Sequence, residues 1–138
     1  MISADLCWEL VKANSCYVVR RGGCEFSSDP KNLMNLNAAK YVSLSSESSF
    51  GLAASTKGKL LLTQKSGSKF ERFPQSSNQT VSLVRGRKAS ICAVRNILAN
   101  SDRADLVDAG VARVCAIFRS QRTPKPLKMK KLRNGKRN

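Results

Sequence analysis

The last twenty residues, Arg119 to Asn138, hold nine Lys or Arg and no Asp or Glu. Cations spaced one to three residues apart suit one chemistry above others. They neutralise successive phosphates and release the counterions condensed on a nucleic-acid backbone. Such contacts give affinity without reading sequence. The segment RSQRTPKPLKMKKLRNGKRN has two prolines, one glycine, and Leu127, Met129 and Leu132 as its sizeable apolar groups. It cannot bury enough apolar surface to offset the entropy of ordering. Arg119, Arg122, Lys125, Lys128, Lys130, Lys131, Arg133, Lys136 and Arg137 are therefore expected to contact RNA along an extended path. A tail that only aids solubility is the alternative, but basic blocks are often arms for nucleic acid.

A second group of cations precedes a helical pattern: Arg85, Arg87 and Lys88. Positive charge there opposes the helix dipole, at about a few tenths of a kcal/mol each. A phosphate accepting the first-turn N–H groups would remove that conflict. Arg20 and Arg21, beside a glycine turn, form a third candidate contact. Lys57, Lys59, Lys65, Lys69 and Arg72 form a looser cluster. The body is basic without the tail, with 16 basic and 9 acidic side chains over residues 1–118. The whole chain of 138 residues carries +16. That excess favours nucleic acid over acidic small molecules.

Catalysis finds no support in the sequence. There is no histidine, which removes the commonest general base and the Ser-His and Cys-His nucleophile pairs. Gly51 to Lys59 (GLAASTKGK) has the wrong glycine spacing for a phosphate-binding loop, and Leu60 stands where Ser or Thr is needed. Asp102, Asp105 and Asp108 are explained by helix capping. The five cysteines, Cys7, Cys16, Cys24, Cys92 and Cys115, contain no C-x-x-C pair, so no metal site and no cofactor are expected. Most of them are expected to be small buried apolar groups. No run approaches the roughly 20 apolar residues that span a bilayer, and MISADLCWELVKANS lacks the features of a signal peptide. The expected compartment is cytosol or nucleus, with no membrane and no small-molecule substrate.

The elements that must position these cations are legible in outline. Ser3 as N-cap, Asp5, and Leu6, Cys7, Leu10 and Val11 at helical spacing predict a helix over residues 3–13, with a strand as the alternative because Trp8, Leu10 and Lys12 partly alternate. Residues 16–21 (CYVVRR), Gly22-Gly23 and Cys24–Ser27 predict a hairpin. Residues 31–40 should be an ordered loop anchored by Leu33, Met34 and Leu36. Strands are expected at Tyr41–Leu44, Phe50–Ala54, Lys59–Lys65 and Thr80–Val84, with a long loop over 66–79. Ile91, Val94, Ile97 and Leu98 predict a helix from Lys88 to Asn100. Val107, Val111, Val114 and Phe118 predict another, from residue 101 or 102 to Arg122. The short link argues for an antiparallel helical hairpin. Trp8, Tyr17, Phe26, Tyr41, Phe50, Phe70, Phe73 and Phe118 are scattered one per element and read as mostly core.

The predicted class is α+β: a small antiparallel sheet with a short N-terminal helix, a C-terminal helical hairpin and an extended basic tail. Residues 1–122 would be a globular body and 123–138 the tail.

Several segments, in order, resemble the eukaryotic large-ribosomal-subunit family of the L-twenty-eight type. Leu6-Cys7-Trp8 resembles its L-x-W start, and Cys16 to Arg21 its S-F-L-I-K-R strand. Phe26 to Leu33 is similar to its Y-S-x-E-P-x-N-L segment. Tyr41 and Leu44 match Y-x-x-L, and Ala116 to Gln121 resembles A-I-L-R-S-Q, followed by a basic tail. A related domain occurs in the nucleolar assembly factor Mak-sixteen, whose more closely paired cysteines are missing here. The resemblance implies a structural constituent of the cytoplasmic 60S subunit that binds rRNA beside neighbouring ribosomal proteins, passes through the nucleolus and needs no cofactor. Residues 64–79 depart from the family, with Ser, Gln and aromatics where basic charge is expected. The alternative is a transient RNA-binding assembly factor in the nucleolus.

Overall fold

A computed structural model describes residues 3–55, 59–65 and 77–123. Helix α1 spans Ala4–Val11, and Ser3 Oγ caps it by accepting from Leu6 N at 3.3 Å. Asp5 lies in its first turn, where negative charge suits the dipole. None of its residues is buried. Strands β1 (Val18–Arg21) and β2 (Cys24–Ser27) pair antiparallel, with Val19 opposite Phe26 and Arg20 opposite Glu25. Gly22 and Gly23 turn the chain at φ of 56° and 78°. Two successive left-handed residues match the twist of a tight hairpin, and glycine adopts them without Cβ strain.

Strands β3 (Ser49–Ala54), β4 (Leu60–Lys65) and β5 (Asn78–Leu83) form a second antiparallel sheet in that order. Leu52 pairs with Leu62, and Ala54 with Leu60. Period-two alternation sends Phe50, Leu52, Leu60 and Leu62 into the core, each 3% exposed or less. β5 is an exposed edge strand.

Two helices complete the body. α2 spans Arg87–Ala99, and a 3₁₀ turn at Ala104–Leu106 leads into α3, Val107–Ser120. Val94 and Leu98 of α2, and Val114 and Ile117 of α3, join the strand residues in one core. Gly110 lets the helices close up: a Cβ there would stand 2.4 Å from Leu98 Cδ1.

Between the two sheets, residues 28–48 carry little regular structure and are held by buried polar side chains. Asp29, 4% exposed, accepts from Ser43 N at 3.1 Å and from Ser43 Oγ on one oxygen, and from Lys31 N at 3.0 Å on the other. Asn32 donates to Leu36 O at 2.8 Å and accepts from Met34 N at 3.1 Å. Lys65 Nζ reaches in from the end of β4 to Ser43 O at 3.0 Å and Ser46 O at 2.9 Å.

The α+β class, the N-terminal helix, the glycine-turn hairpin and the helical hairpin agree with expectation, while the strands form two separate antiparallel sheets where one was expected. Tyr41–Leu44 forms no strand. Its amides serve turns instead, with Tyr41 N and Val42 N donating to Ala38 O, while Val42 and Ser43 are buried. Within the 31–40 loop Leu33 is the apolar anchor at 3% exposure, whereas Met34 and Leu36 are exposed. Ser77 is a buried turn residue, and Asn78 and Gln79 belong to β5; residues 66–76 of the expected loop lie outside the described residues. The last helix begins later than expected, because Asp102 and Asp105 fall in the turn and the 3₁₀ segment. The cysteines are not core: Cys16, Cys24 and Cys92 are exposed, and Cys7 and Cys115 half-buried. Of the aromatics, Phe50 is fully buried and Phe26 exposed. Trp8, Tyr17, Tyr41 and Phe118 lie between.

Candidate nucleic-acid interface

The antiparallel helix pair brings the start of α2 beside the end of α3. Arg87 Nη2 donates to Cys115 Sγ at 3.4 Å. Arg87, Phe118, Gln121 and Arg122 line an open cavity of about 360 Å³ between them. Arg85, Arg87, Lys88, Arg119 and Arg122 are all exposed. Arg119 sits in the last turn of α3, where the dipole favours it. α2 has no acid in its first turn, and its N-cap is Gly86, with no side-chain capping bond. Ser90 Oγ instead donates to Arg85 O at 2.9 Å, fixing the chain ahead of the helix. The acids of the helical hairpin, Asp102, Asp105 and Asp108, lie at its opposite end.

Residues 6–120 match the Ribosomal L28e protein family. The chain belongs to that family. It is similar to the large ribosomal subunit protein eL28 of Schizosaccharomyces pombe, 29% identical over 129 residues, covering 90% of this chain and 96% of the relative. It is also similar to the eL28 protein of Dictyostelium discoideum, 33% identical over 91 residues, covering 64% of this chain and 67% of the relative. As an L28e-family member it is a structural component of the ribosome and not an enzyme, in keeping with the lack of histidine.

The L28e chain divides its cations into those committed to the fold and those left at the surface. Arg20 belongs to the first set, with Nε 2.9 Å from Glu25 Oε1. Asn37 Nδ2 donates to the other Glu25 oxygen at 2.9 Å. These two bonds, from Asn37 first and Arg20 second, hold the Glu25 carboxyl below its ordinary pKa. Arg103 donates to Lys40 O at 2.6 Å and Ser48 O at 3.3 Å and pairs with Asp105 at 3.1 Å. It thereby ties the hairpin turn to the central loop. Lys65 is 6% exposed. Burial, and then the Lys31 charge, push its pKa down. It therefore leaves the looser basic cluster expected from the sequence. Of that cluster, Lys59 is half-buried, and Lys57, Lys69 and Arg72 lie outside the described residues.

Arg21 remains exposed beside the glycine turn. Arg95, which the sequence reading did not single out, is exposed on α2 seven residues beyond Lys88, two turns along the same face. A count of i+7 cations on the predicted helix would have found it. Lys125, Lys128, Lys130, Lys131, Arg133, Lys136 and Arg137 lie outside the described residues. No helix among the described residues is long and apolar enough to cross a membrane.

Proposed function

We propose that this chain is a constituent of the large subunit of the cytoplasmic ribosome and holds rRNA mainly through its phosphate backbone. One observation carries the reading. The helical hairpin gathers Arg85, Arg87, Lys88, Arg119 and Arg122 at one end, with its acids at the other. Cations placed against the start of α2 oppose its dipole in the free protein. A backbone phosphate seated there meets uncapped N–H groups and removes the opposition. The tail, from Arg119 through Arg137, continues that path along the RNA. Arg21 is a separate contact on the hairpin. Arg20 contributes less than the sequence suggested, because Glu25 neutralises it. Residues 1–122 act as the docking body and 123–138 as the tail. Neighbouring ribosomal proteins complete the surroundings, and the nucleolus is the place of assembly.

The test is quantitative mass spectrometry across a sucrose gradient after a wash in roughly half-molar salt, where exposed phosphate-only binding is largely lost but a constituent wedged among rRNA and neighbouring proteins stays. One copy per 60S particle, 80S ribosome and polysome is expected. A signal confined to nuclear precursors, or released by the wash, would identify a transient assembly factor instead. Deleting residues 123–138 should lower 60S incorporation with the body still folded; normal incorporation would refute the role of the tail.

A further inference from the structure

The groove between the start of α2 and the end of α3 offers more than charge. Phe118 packs against the apolar core yet also lines the cavity of about 360 Å³ with Arg87, Gln121 and Arg122. That volume lies at the low end of the roughly 300–1,000 Å³ typical of small-ligand sites. Gln121 is the C-cap of α3 and Arg122 follows it, so ring, amide and guanidinium meet at the end of the helix. Arg87 arrives from α2, steadied against Cys115 at 3.4 Å. Among the described residues, no carboxylate lines the cavity.

We propose that this groove takes a single unpaired nucleotide of the bound RNA. The base lies against the Phe118 ring, with its edge toward the Gln121 amide. Its phosphate sits between the Arg87 and Arg122 guanidiniums. The proposal rests on the rRNA-binding reading and sharpens it. Phosphate contacts alone call for cations and gain nothing from an aromatic ring. A ring held by the core and open on one side is a stacking surface already fixed before binding. An amide supplies one donor group and one acceptor, which suits the edge of a base. A base inside a duplex cannot present its face, so the ligand is a bulged, looped or single-stranded nucleotide.

The full chain is tested with two probes, each at low salt, where phosphate binding is retained, and at raised salt, which suppresses it. One is a single-stranded oligoribonucleotide of roughly twelve residues containing 2-aminopurine, long enough for a single stacking site. The other is a blunt RNA duplex of equal length. Phe118→Leu keeps apolar volume against the core, and Phe118→Tyr keeps the ring. The leucine variant should bind the single strand about 5- to 150-fold more weakly, the range of one stacked base. It should also lose the fluorescence quenching of 2-aminopurine. The tyrosine variant should retain both, and duplex affinity should be unchanged in either. Single-strand affinity unchanged in the leucine variant, or a loss equal on both probes, would overturn the nucleotide site while leaving RNA binding intact. A wild-type chain that binds neither probe even at low salt would overturn both readings.

Discussion

Gly51→Ala should be the most damaging single-methyl addition to the sheet. Gly51 is buried in the middle of β3 and pairs with Thr63. A Cβ at this position meets Pro30 O at 2.5 Å, Lys31 Cα at 3.1 Å and Pro30 C at 3.3 Å. All three are backbone atoms, so no rotamer change relieves the contact. Reaching ordinary contact at 3.4 Å requires the Pro30–Lys31 peptide to retreat by about 0.9 Å. That peptide is fastened by the bonds of Asp29 to Ser43 N at 3.1 Å and Lys31 N at 3.0 Å. Overpacking costs about 1–3 kcal/mol. Stretching a charge-assisted bond at Asp29 adds about 1 kcal/mol or more. Replacing a strand glycine returns about 0.5–1 kcal/mol. The net loss is about 1–3.5 kcal/mol. Gly110→Ala is the matched control. Its Cβ meets side chains, Leu98 Cδ1 at 2.4 Å and Val94 Cγ1 at 3.2 Å, and alanine gains about 1 kcal/mol over glycine inside a helix. Its net cost is about 0–2 kcal/mol. Urea unfolding followed by circular dichroism gives both values if the slope is unchanged. A Gly51→Ala midpoint equal to wild type, or above that of Gly110→Ala, would refute the rigid attachment of the 28–48 segment to β3.

Asp29→Asn should cost about 1.5–3 kcal/mol, since its amide cannot replace a carboxylate facing three donors; a loss below about 0.5 kcal/mol in the same unfolding assay would count against the polar anchor. Glu25 has a folded pKa below its ordinary 4.5, so its stabilising effect is complete above that value and fades as pH falls through the lowered one. Glu25→Gln should therefore flatten the acid side of the unfolding midpoint against pH, and an unchanged acid limb would exclude the Asn37 and Arg20 bonds as its source. Replacing Arg87 and Lys88 together by alanine removes two proposed phosphate contacts. The slope of log affinity against log salt should fall by about 2, and an unaltered slope would place the RNA elsewhere.

The regular elements were legible because each rests on local rules. Ser3 with Asp5 marks the start of α1, two glycines make the tight hairpin, and period-two apolar residues mark β3 and β4. Tyr41–Leu44 was misread for an equally physical reason. A short β-rich run says nothing about where its amides go, and here they are used by turns at Ala38. Cooperation between Asp29, Ser43 and Lys65 spans 36 residues of chain, and no window of sequence exposes a buried polar network of that kind. The same limit applies to the cations. Arg20 and Lys65 look like phosphate ligands in sequence, but the cross-strand neighbour Glu25 absorbs the first in an ion pair, and distant backbone carbonyls absorb the second. Phe118 was read as core because helical periodicity detects only the side of a ring that packs.

Committed and uncommitted cations carry different weight as traces of function. Arg103 at the turn of the helical hairpin has Asp105 within 3.1 Å and two backbone carbonyls, so folding alone accounts for it. Folding alone does not account for Arg87 and Lys88. The first turn of a helix is stabilised by acids and by side-chain caps, whereas α2 begins with two cations behind a glycine. Each such choice costs the isolated protein about a few tenths of a kcal/mol. The cost vanishes once an anion occupies the site, so the arrangement is favourable only in a complex. The exposed cations at the opposite terminus, Arg119 and Arg122, suit the dipole of α3, and Arg122 lines the same cavity as Arg87. One end of the hairpin is thus tied into its own fold through acids, while the other is left electrostatically incomplete. The missing charge is negative and is met by a polyanion long enough to continue along the basic tail.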